Sequence, residues 1–127
     1  KRGMVMLQNT RANKKTFGLK KMADFKGKII TNAIEGLEME IANMNVWFKL
    51  IGDFNAYNLL AVYGAAMMLG EDSNEVLTKL SSLRGAAGRF DLVLPESKVI
   101  AIVDYAHTPD SLKNVLETIA QFRSGTA

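Results

Sequence analysis

The sequence predicts an α/β protein, more strictly α+β within this stretch: antiparallel strands, two helices, then a strand–loop–helix unit. Three observations carry that expectation. Apolar and polar residues alternate between Leu37 and Leu50, the period of half-buried strands. Two runs at helical spacing follow between Ala56 and Arg84. Last, Val99-Ile100-Ala101-Ile102-Val103 reads as a buried strand ending in Asp104, and the loop Tyr105-Ala106-His107 opens onto a helix.

In residues 1 to 52, Leu37, Met39 and Ile41 alternate with Glu38 and Glu40, and Val46, Phe48 and Leu50 repeat the period. Asn43-Met44-Asn45 is the expected turn between them, and Lys28 to Ile34 supplies a third strand of a small antiparallel meander. The seven methionines all fall in the first 68 residues and fit core filling rather than a sulfur ligand set.

Residues 53 to 84 read as two helices. The first, Ala56 to Leu69, is apolar nearly all round and is expected to be buried. Gly70 stands where a left-handed C-terminal cap belongs. Asp72 and Glu75 form an acid-x-x-Glu capping signature for the second helix, whose buried stripe would be Val76, Leu80 and Leu83. Gly85-Ala86-Ala87-Gly88 then reads as a hinge.

In residues 89 to 127, Phe90 to Leu94 and Lys98 to Asp104 are expected strands joined by a turn around Pro95. Thr108 is placed as N-cap with Pro109 at the first helical position, where no backbone donor is wasted. Leu112, Val115, Leu116 and Ile119 give the expected buried stripe. This is the opening half of a βαβ unit, and a single such unit cannot cover both faces of its sheet. The chain is therefore expected to be a fragment of a longer protein.

Composition narrows the classes. With 48% hydrophobic residues, the 127-residue chain can build a globular core, and no apolar run reaches the ~20 residues that span a bilayer. Lys1-Arg2-Gly3-Met4 lacks a signal-peptide pattern. The absence of cysteine excludes disulfides and thiolate metal sites and leaves the cytoplasm as the default compartment. The formal charge is only +3, but Lys14, Lys15, Lys20, Lys21, Lys26 and Lys28 make the start locally basic. That face is either solvated or set against an anion; without interleaved aromatics, nucleic-acid binding is not favoured.

Three groups could carry chemistry. Asn55 and Asn58 lie three apart at a helix start, so their amides project from one side and could match the edge of an adenine; helix capping is the alternative. Arg89, just after the glycine link, could grip phosphate oxygens with paired hydrogen bonds, or be a surface arginine. Asp104 ends a strand where ligands gather in open α/β sheets and could hold a ribose hydroxyl. His107 is the only histidine, which excludes a multi-histidine metal cluster and leaves a structural hydrogen bond or a general base. No Gly-x-x-x-x-Gly-Lys-Thr loop is present.

Taken in order, Leu50-Ile51-Gly52-Asp53-Phe54-Asn55-Ala56-Tyr57-Asn58-Leu59-Leu60-Ala61, Gly88-Arg89-Phe90 and Asp104-Tyr105-Ala106-His107-Thr108-Pro109-Asp110 closely resemble the Mur ligase family, and within it the diaminopimelate-adding branch. The likeness covers about residues 50 to 123, and the strand-rich start looks like the end of that family's central domain. The resemblance implies that residues 1–84 are the C-terminal part of a central ATP-binding domain. Residues 85–88 would then be a hinge, and 89–127 the start of a Rossmann-like C-terminal domain. It also implies a cytoplasmic step of peptidoglycan synthesis by a monomeric ligase. In that family ATP, with Mg2+, converts a carboxylate of the UDP-muramyl dipeptide to an acyl phosphate, which the diaminopimelate amine attacks to give an amide. Carried over by motif, Asn55 and Asn58 would face the adenine, Arg89 the phosphates and Asp104 the ribose, with His107 in support. On that resemblance no catalytic residue and no metal ligand is expected within the chain.

The family's P-loop, magnesium ligands and carbamylated lysine belong upstream of Lys1, and its Asp-Asn-Pro-Arg selectivity segment downstream of Ala127. Rival readings are a lysine-adding Mur ligase, a cyanophycin synthetase relative, and a folylpolyglutamate synthase, which usually carries glycine where Tyr105 stands. A non-catalytic partner-binding module is the rival of another class. A Gly-Lys-Thr loop upstream and Asp-Asn-Pro-Arg downstream in the longer sequence would separate them. By itself the chain is expected to release no phosphate from ATP, and measurable ATP-dependent release in a phosphate assay would contradict this.

Overall fold

The computed structural model describes residues 7–93 and 100–122. Strands β2 (Phe25–Ala33), β3 (Gly36–Ile41) and β4 (Met44–Phe48) form the expected antiparallel meander, with Leu37 opposite Phe48 and Met39 between Ile29 and Val46. The alternation decides the faces. Leu37, Met39, Ile41 and Phe48 are buried, while Glu38 and Glu40 look outward, where Thr31 Oγ1 donates to Glu38 Oε2 at 3.2 Å. A bulge between Ile29 and Thr31 shifts the register.

The β3–β4 turn differs from the expected Asn43-Met44-Asn45. It is the pair Ala42-Asn43, both left-handed at φ 52° and 61°. Two left-handed residues match the twist of the flanking strands in a two-residue hairpin, so Met44 and Asn45 are freed to pair with Ile41 and Glu40. A further short strand, β1 (Phe17–Gly18), runs parallel to β2, which the meander reading did not include. Asp24 anchors it: Lys15 Nζ, Thr16 N and Thr16 Oγ1 donate to its carboxylate at 2.9, 2.9 and 2.8 Å. Lys15 first, then Thr16, holds that carboxyl well below the usual carboxylate range.

Helix α1 (Asp53–Met68) crosses the apolar face of the sheet. It starts three residues before the expected Ala56, because Gly52 turns the chain and its carbonyl accepts from Asn55 N at 3.0 Å. Asp53 in the first turn suits the helix dipole. Burial is one-sided, which corrects the all-round expectation. Ala56, Leu59, Leu60, Tyr63 and Gly64 are buried, while Val62 and Met68 are half exposed, because the sheet covers one flank alone. Leu69 closes the helix, and Gly70, at φ 85°, lets Gly70 N and Glu71 N turn back to Met67 O and Ala66 O at 3.2 Å each.

Helix α2 (Ser73–Ser82) begins as the sequence implies, with Asp72 Oδ1 accepting from Glu75 N at 2.9 Å. Glu75 does not reach back to complete a capping box. Its carboxylate takes Lys79 Nζ at 2.6 Å, which raises the lysine's pKa. Leu77 and Leu80 fill the core and Val76 is half-buried; Leu83, expected in the stripe, lies past the helix end and is 47% exposed.

Strands β5 (Asp91–Val93) and β6 (Ala101–Val103) pair antiparallel as a separate sheet, with Leu92 opposite Ile102. Both are shorter than expected, and β6, expected to be a buried strand, leaves Ala101 and Val103 exposed because no second layer covers this two-stranded sheet; the turn around Pro95 lies outside the described residues. Asp104 follows β6 directly, and α3 (Pro109–Phe122) starts at the expected proline, with Thr108 Oγ1 accepting from Ser111 N at 3.2 Å. The α3 stripe is the largest correction. Leu112 and Leu116 are half exposed, Val115 and Ile119 intermediate, and Thr118 is the buried residue. The small β5–β6 sheet is too narrow to cover that stripe. The helix instead turns Thr118 onto Gly52, where its methyl lies 3.0 Å from an ideal Cβ position.

Leu60 is fully buried at the centre of the α1–sheet contact. Leu60→Ala is expected to destabilise the fold by about 3 kcal/mol through lost burial and the cavity left behind, read as a lowered urea midpoint without a change in slope.

Candidate functional site

Of the residues singled out in sequence, Asn55 and Arg89 meet where α1 begins and the Gly85–Gly88 link ends, Asn58 and Asp104 adjoin them through hydrogen bonds, and His107 lies apart. Asn55 occupies the third position of α1. Its Nδ2 donates to Ile51 O at 2.8 Å, and its Oδ1 accepts from Asn58 Nδ2 at 3.3 Å. Neither asparagine caps the helix; Gly52 holds that position without a side-chain cap. The two amides share one side as expected, and exposed Asn58 keeps its carbonyl and one N–H available to pair with another polar edge.

Across from this pair, the link is held in a tight turn. Arg89 N donates to Ala86 O at 3.0 Å, and Gly88 is left-handed at φ 70°. Phe90 is left-handed too, at φ 48°, a conformation that a bulky side chain adopts only under compulsion. Two things compel it. Its ring is buried against Phe54 of α1, centroids 6.0 Å apart in an edge arrangement. Its N–H donates to Asp104 Oδ2 at 2.8 Å. The other carboxylate oxygen accepts from Ala106 N at 2.7 Å, and Tyr105 N donates to Gly88 O at 2.8 Å.

Between these parts lies an open cleft of about 500 Å³. Asn55 and Arg89 both line it, with Lys49, Arg84 and Asp91. Three cations against one carboxylate make a lining suited to an anion, and none of the three is ion-paired among the described residues. Asn58 sits one turn beyond, joined through Asn55, and Asp104 stands behind the turn that carries Arg89. His107 is not part of the cleft lining. Its Nδ1 lies 2.9 Å from Tyr105 O and its ring meets Tyr105 edge-on, the structural alternative of the two weighed for it.

Sequence reasoning missed Lys49 and Arg84. Both flank motifs it did use, Leu50-Ile51-Gly52 and the glycine link, which was the only signal available. It also missed Asn32, which joins distant segments: its Oδ1 accepts from Gly52 N at 3.2 Å, and its Nδ2 donates to Asp53 Oδ1 at 3.0 Å and to Gln121 Oε1 at 3.3 Å. A second cleft of about 400 Å³ lies along β2, lined by Lys26 and Lys28 of the basic start, but there Lys28 stands opposite Glu40 in register, and Asn55, Asn58, Arg89, Asp104 and His107 do not line it. Among the described residues no group of three or more His, Cys, Asp or Glu could hold a metal ion, and no helix is long and apolar enough to cross a membrane.

No protein-family model matches the chain. The UDP-N-acetylmuramoyl-L-alanyl-D-glutamate–2,6-diaminopimelate ligase of Cytophaga hutchinsonii is 56% identical over 123 residues, covering 97% of this chain and 25% of that protein. The protein of the same name from Parabacteroides distasonis is 53% identical over 98% of the chain and 26% of its own length. The crystal structure of UDP-N-acetylmuramate-alanine ligase from Thermotoga maritima superposes with a TM-score of 0.74 at 30% identity, over 87% of this chain and 27% of that one. The chain thus spans about a quarter of the curated relatives it matches.

The Phe54–Phe90 contact ties the link to α1. Phe90→Ala is expected to loosen it and to speed protease cleavage within residues 85–88 by ~10-fold or more, since a buried Phe→Ala change costs more than the ~1.4 kcal/mol this requires. Cleavage at the wild-type rate would show that the contact carries no such load.

Proposed function

The chain belongs to the Mur ligase family, and we propose that it forms one wall of the ATP site in a ligase that adds diaminopimelate to UDP-N-acetylmuramoyl-L-alanyl-D-glutamate. The observation that carries this is the cleft in which Asn55 and Arg89 meet from opposite sides of the glycine link, with Lys49 and Arg84 beside them. The donor set fits a nucleotide. The Asn55–Asn58 amides offer the mixed donor and acceptor edge that an adenine needs. Arg89 offers a planar fork for phosphate oxygens, and Lys49 and Arg84 add charge without fixed geometry.

When bound, ATP supplies the phosphoryl group that activates the substrate carboxylate. The residues of this chain bind and orient the nucleotide and take no proton in the reaction. In this reading residues 1–84 end the central domain, 85–88 are the hinge, and 89–127 begin the C-terminal domain. The amino acid added is assigned from the relatives, whose names specify 2,6-diaminopimelate. The enzyme would work as a monomer in the cytoplasm.

The test uses the full-length protein that carries this segment. Arg89→Ala is expected to raise the KM for ATP by ~10-fold or more, the loss of one charged hydrogen-bonding partner, while leaving the KM for diaminopimelate unchanged. An unchanged ATP dependence in both Arg89→Ala and Asn55→Ala would overturn the assignment, and preference for lysine in the coupled assay would overturn the choice of amino acid.

A further inference from the structure

We infer that Asn32 and Gln121 are positioning residues for the cleft: their hydrogen bond ties the end of α3 to the first turn of α1 and so fixes how Arg89 stands relative to Asn55. The inference rests on the proposed ATP site and adds to it two side chains that do not line the cleft.

Asn32 is a three-way joint. Its Oδ1 accepts from Gly52 N at 3.2 Å, so turning the amide over would set its NH2 against that donor, and its two N–H groups face the other way. One donates to Asp53 Oδ1 at 3.0 Å and the other to Gln121 Oε1 at 3.3 Å. The bonds to Gly52 and Asp53 hold β2 to the start of α1, just ahead of Asn55. The bond to Gln121 crosses from the residues before the link to those after it. Among the described residues no other hydrogen bond and no ion pair joins 7–84 to 89–122.

The other contacts between these parts do not set direction. The Phe54 and Phe90 rings meet edge-on beside the link, and the Thr118 methyl rests on Gly52. Apolar contact is non-directional, so rings and a methyl can pivot without losing it. The Arg89 N–Ala86 O and Tyr105 N–Gly88 O bonds order the turn of the link but reach neither α1 nor the β2–β4 meander. Thr118 and Gln121 lie three apart on α3 and therefore share a face, which meets the Gly52 turn through one apolar and one polar contact. Gln121 stands near the far end of that 14-residue helix, about 18 Å from its start at 1.5 Å per residue. The helix starts close to the link, because the loop before it is bonded to Gly88. A restraint so far from the pivot limits rotation about the link more than one beside it.

The test uses the full-length protein. Gln121→Met removes the acceptor, keeps the length and leaves both other bonds of Asn32 in place. It is expected to raise the KM for ATP ~3-fold or more, the weight of one net hydrogen bond, with the KM for diaminopimelate unchanged. Gln121→Lys supplies a different tie: Asp53 Oδ1 is bonded to the same Asn32 nitrogen, so an ammonium at this position is within reach of it. That variant is expected to restore the wild-type KM at low ionic strength and to lose the rescue at high salt, each read against wild type in the same buffer. In an Asp53→Ala background Gln121→Lys and Gln121→Met should behave alike. Lys113→Ala, which removes only the exposed pair with Glu117 on the same helix, should leave the KM as it is. An unchanged KM for ATP in Gln121→Met, whatever its melting temperature, would overturn the positioning role, as would a raised KM that Gln121→Lys does not restore. Either result leaves the ATP site standing as long as Arg89→Ala raises the same KM. If Arg89→Ala leaves ATP dependence intact, the site assignment fails, and the inference with it.

Discussion

Everything in this chain hangs on how closely α1 can lie against the sheet. Gly27 faces α1 from β2, and an ideal Cβ there would stand 2.9 Å from Leu60 Cδ2. The missing side chain is the space that Leu60 fills, and Leu37, Met39, Ile41 and Phe48 complete the socket around it. That single packing arrangement fixes the axis of α1 and therefore the position of its first turn. Gly52, Asp53 and Asn55 are placed by it, and Asn32 bonds that turn to the end of β2. The cleft is thus a consequence of the core: its Asn55 wall is as rigid as the helix beneath it.

The opposite wall is built on another principle. The Gly85–Gly88 link and Phe90 have little apolar core of their own, and β5–β6 is a two-stranded sheet with half-exposed Val93 and Val103. Two-stranded sheets are marginal alone. Order comes instead from hydrogen bonds to Asp104 and Gly88 and from three contacts with the better-packed part: Phe54 with Phe90, Gly52 with Thr118, and Asn32 with Gln121. These contacts explain the buried Thr118, a polar residue where helical periodicity alone would place leucine. Close approach to the backbone at Gly52 leaves room for a small β-branched side chain, and Thr118 Oγ1 is satisfied within its own helix by Asn114 O at 2.8 Å.

What the sequence made legible follows the same division. The meander, both helices of the first part, the Gly70 cap and the Asp72 cap were readable because their signals are local: period, turn residue, side-chain cap. The errors concern what covers what. The α1 face bearing Val62 and the α3 stripe of Leu112 and Leu116 were expected to be buried because periodicity reports amphipathicity, and coverage depends on neighbours the pattern does not name. The Ala42-Asn43 turn was misplaced because alanine seldom signals a left-handed residue; register with Met44 and Asn45 imposed it. At the site, Asn55 and Arg89 were recognisable from motif, but their meeting in one cleft required the fold. Asn32, whose partners are 20 to 89 positions away, gave no local sign.

The three cations of the cleft are not equivalent, and their backbone settings decide the difference. Lys49 and Arg84 are exposed, on the loop after β4 and at the start of the link, and without a partner among the described residues. Charges so placed are well solvated and screened within ~8–10 Å at physiological salt, so they act mainly by raising the local potential that draws an anion in. Arg89 is equally exposed, but its own N–H is bound to Ala86 O and the next residue's to Asp104. Fixing its side chain on a ligand then costs only side-chain freedom, because the backbone is already ordered. A guanidinium on a pre-ordered turn also presents two parallel donors at a set angle, which a mobile lysine cannot. In the proposed ATP site the grip on an anion therefore falls to Arg89, whose turn is ordered by the bonds of its own N–H and of the next residue's.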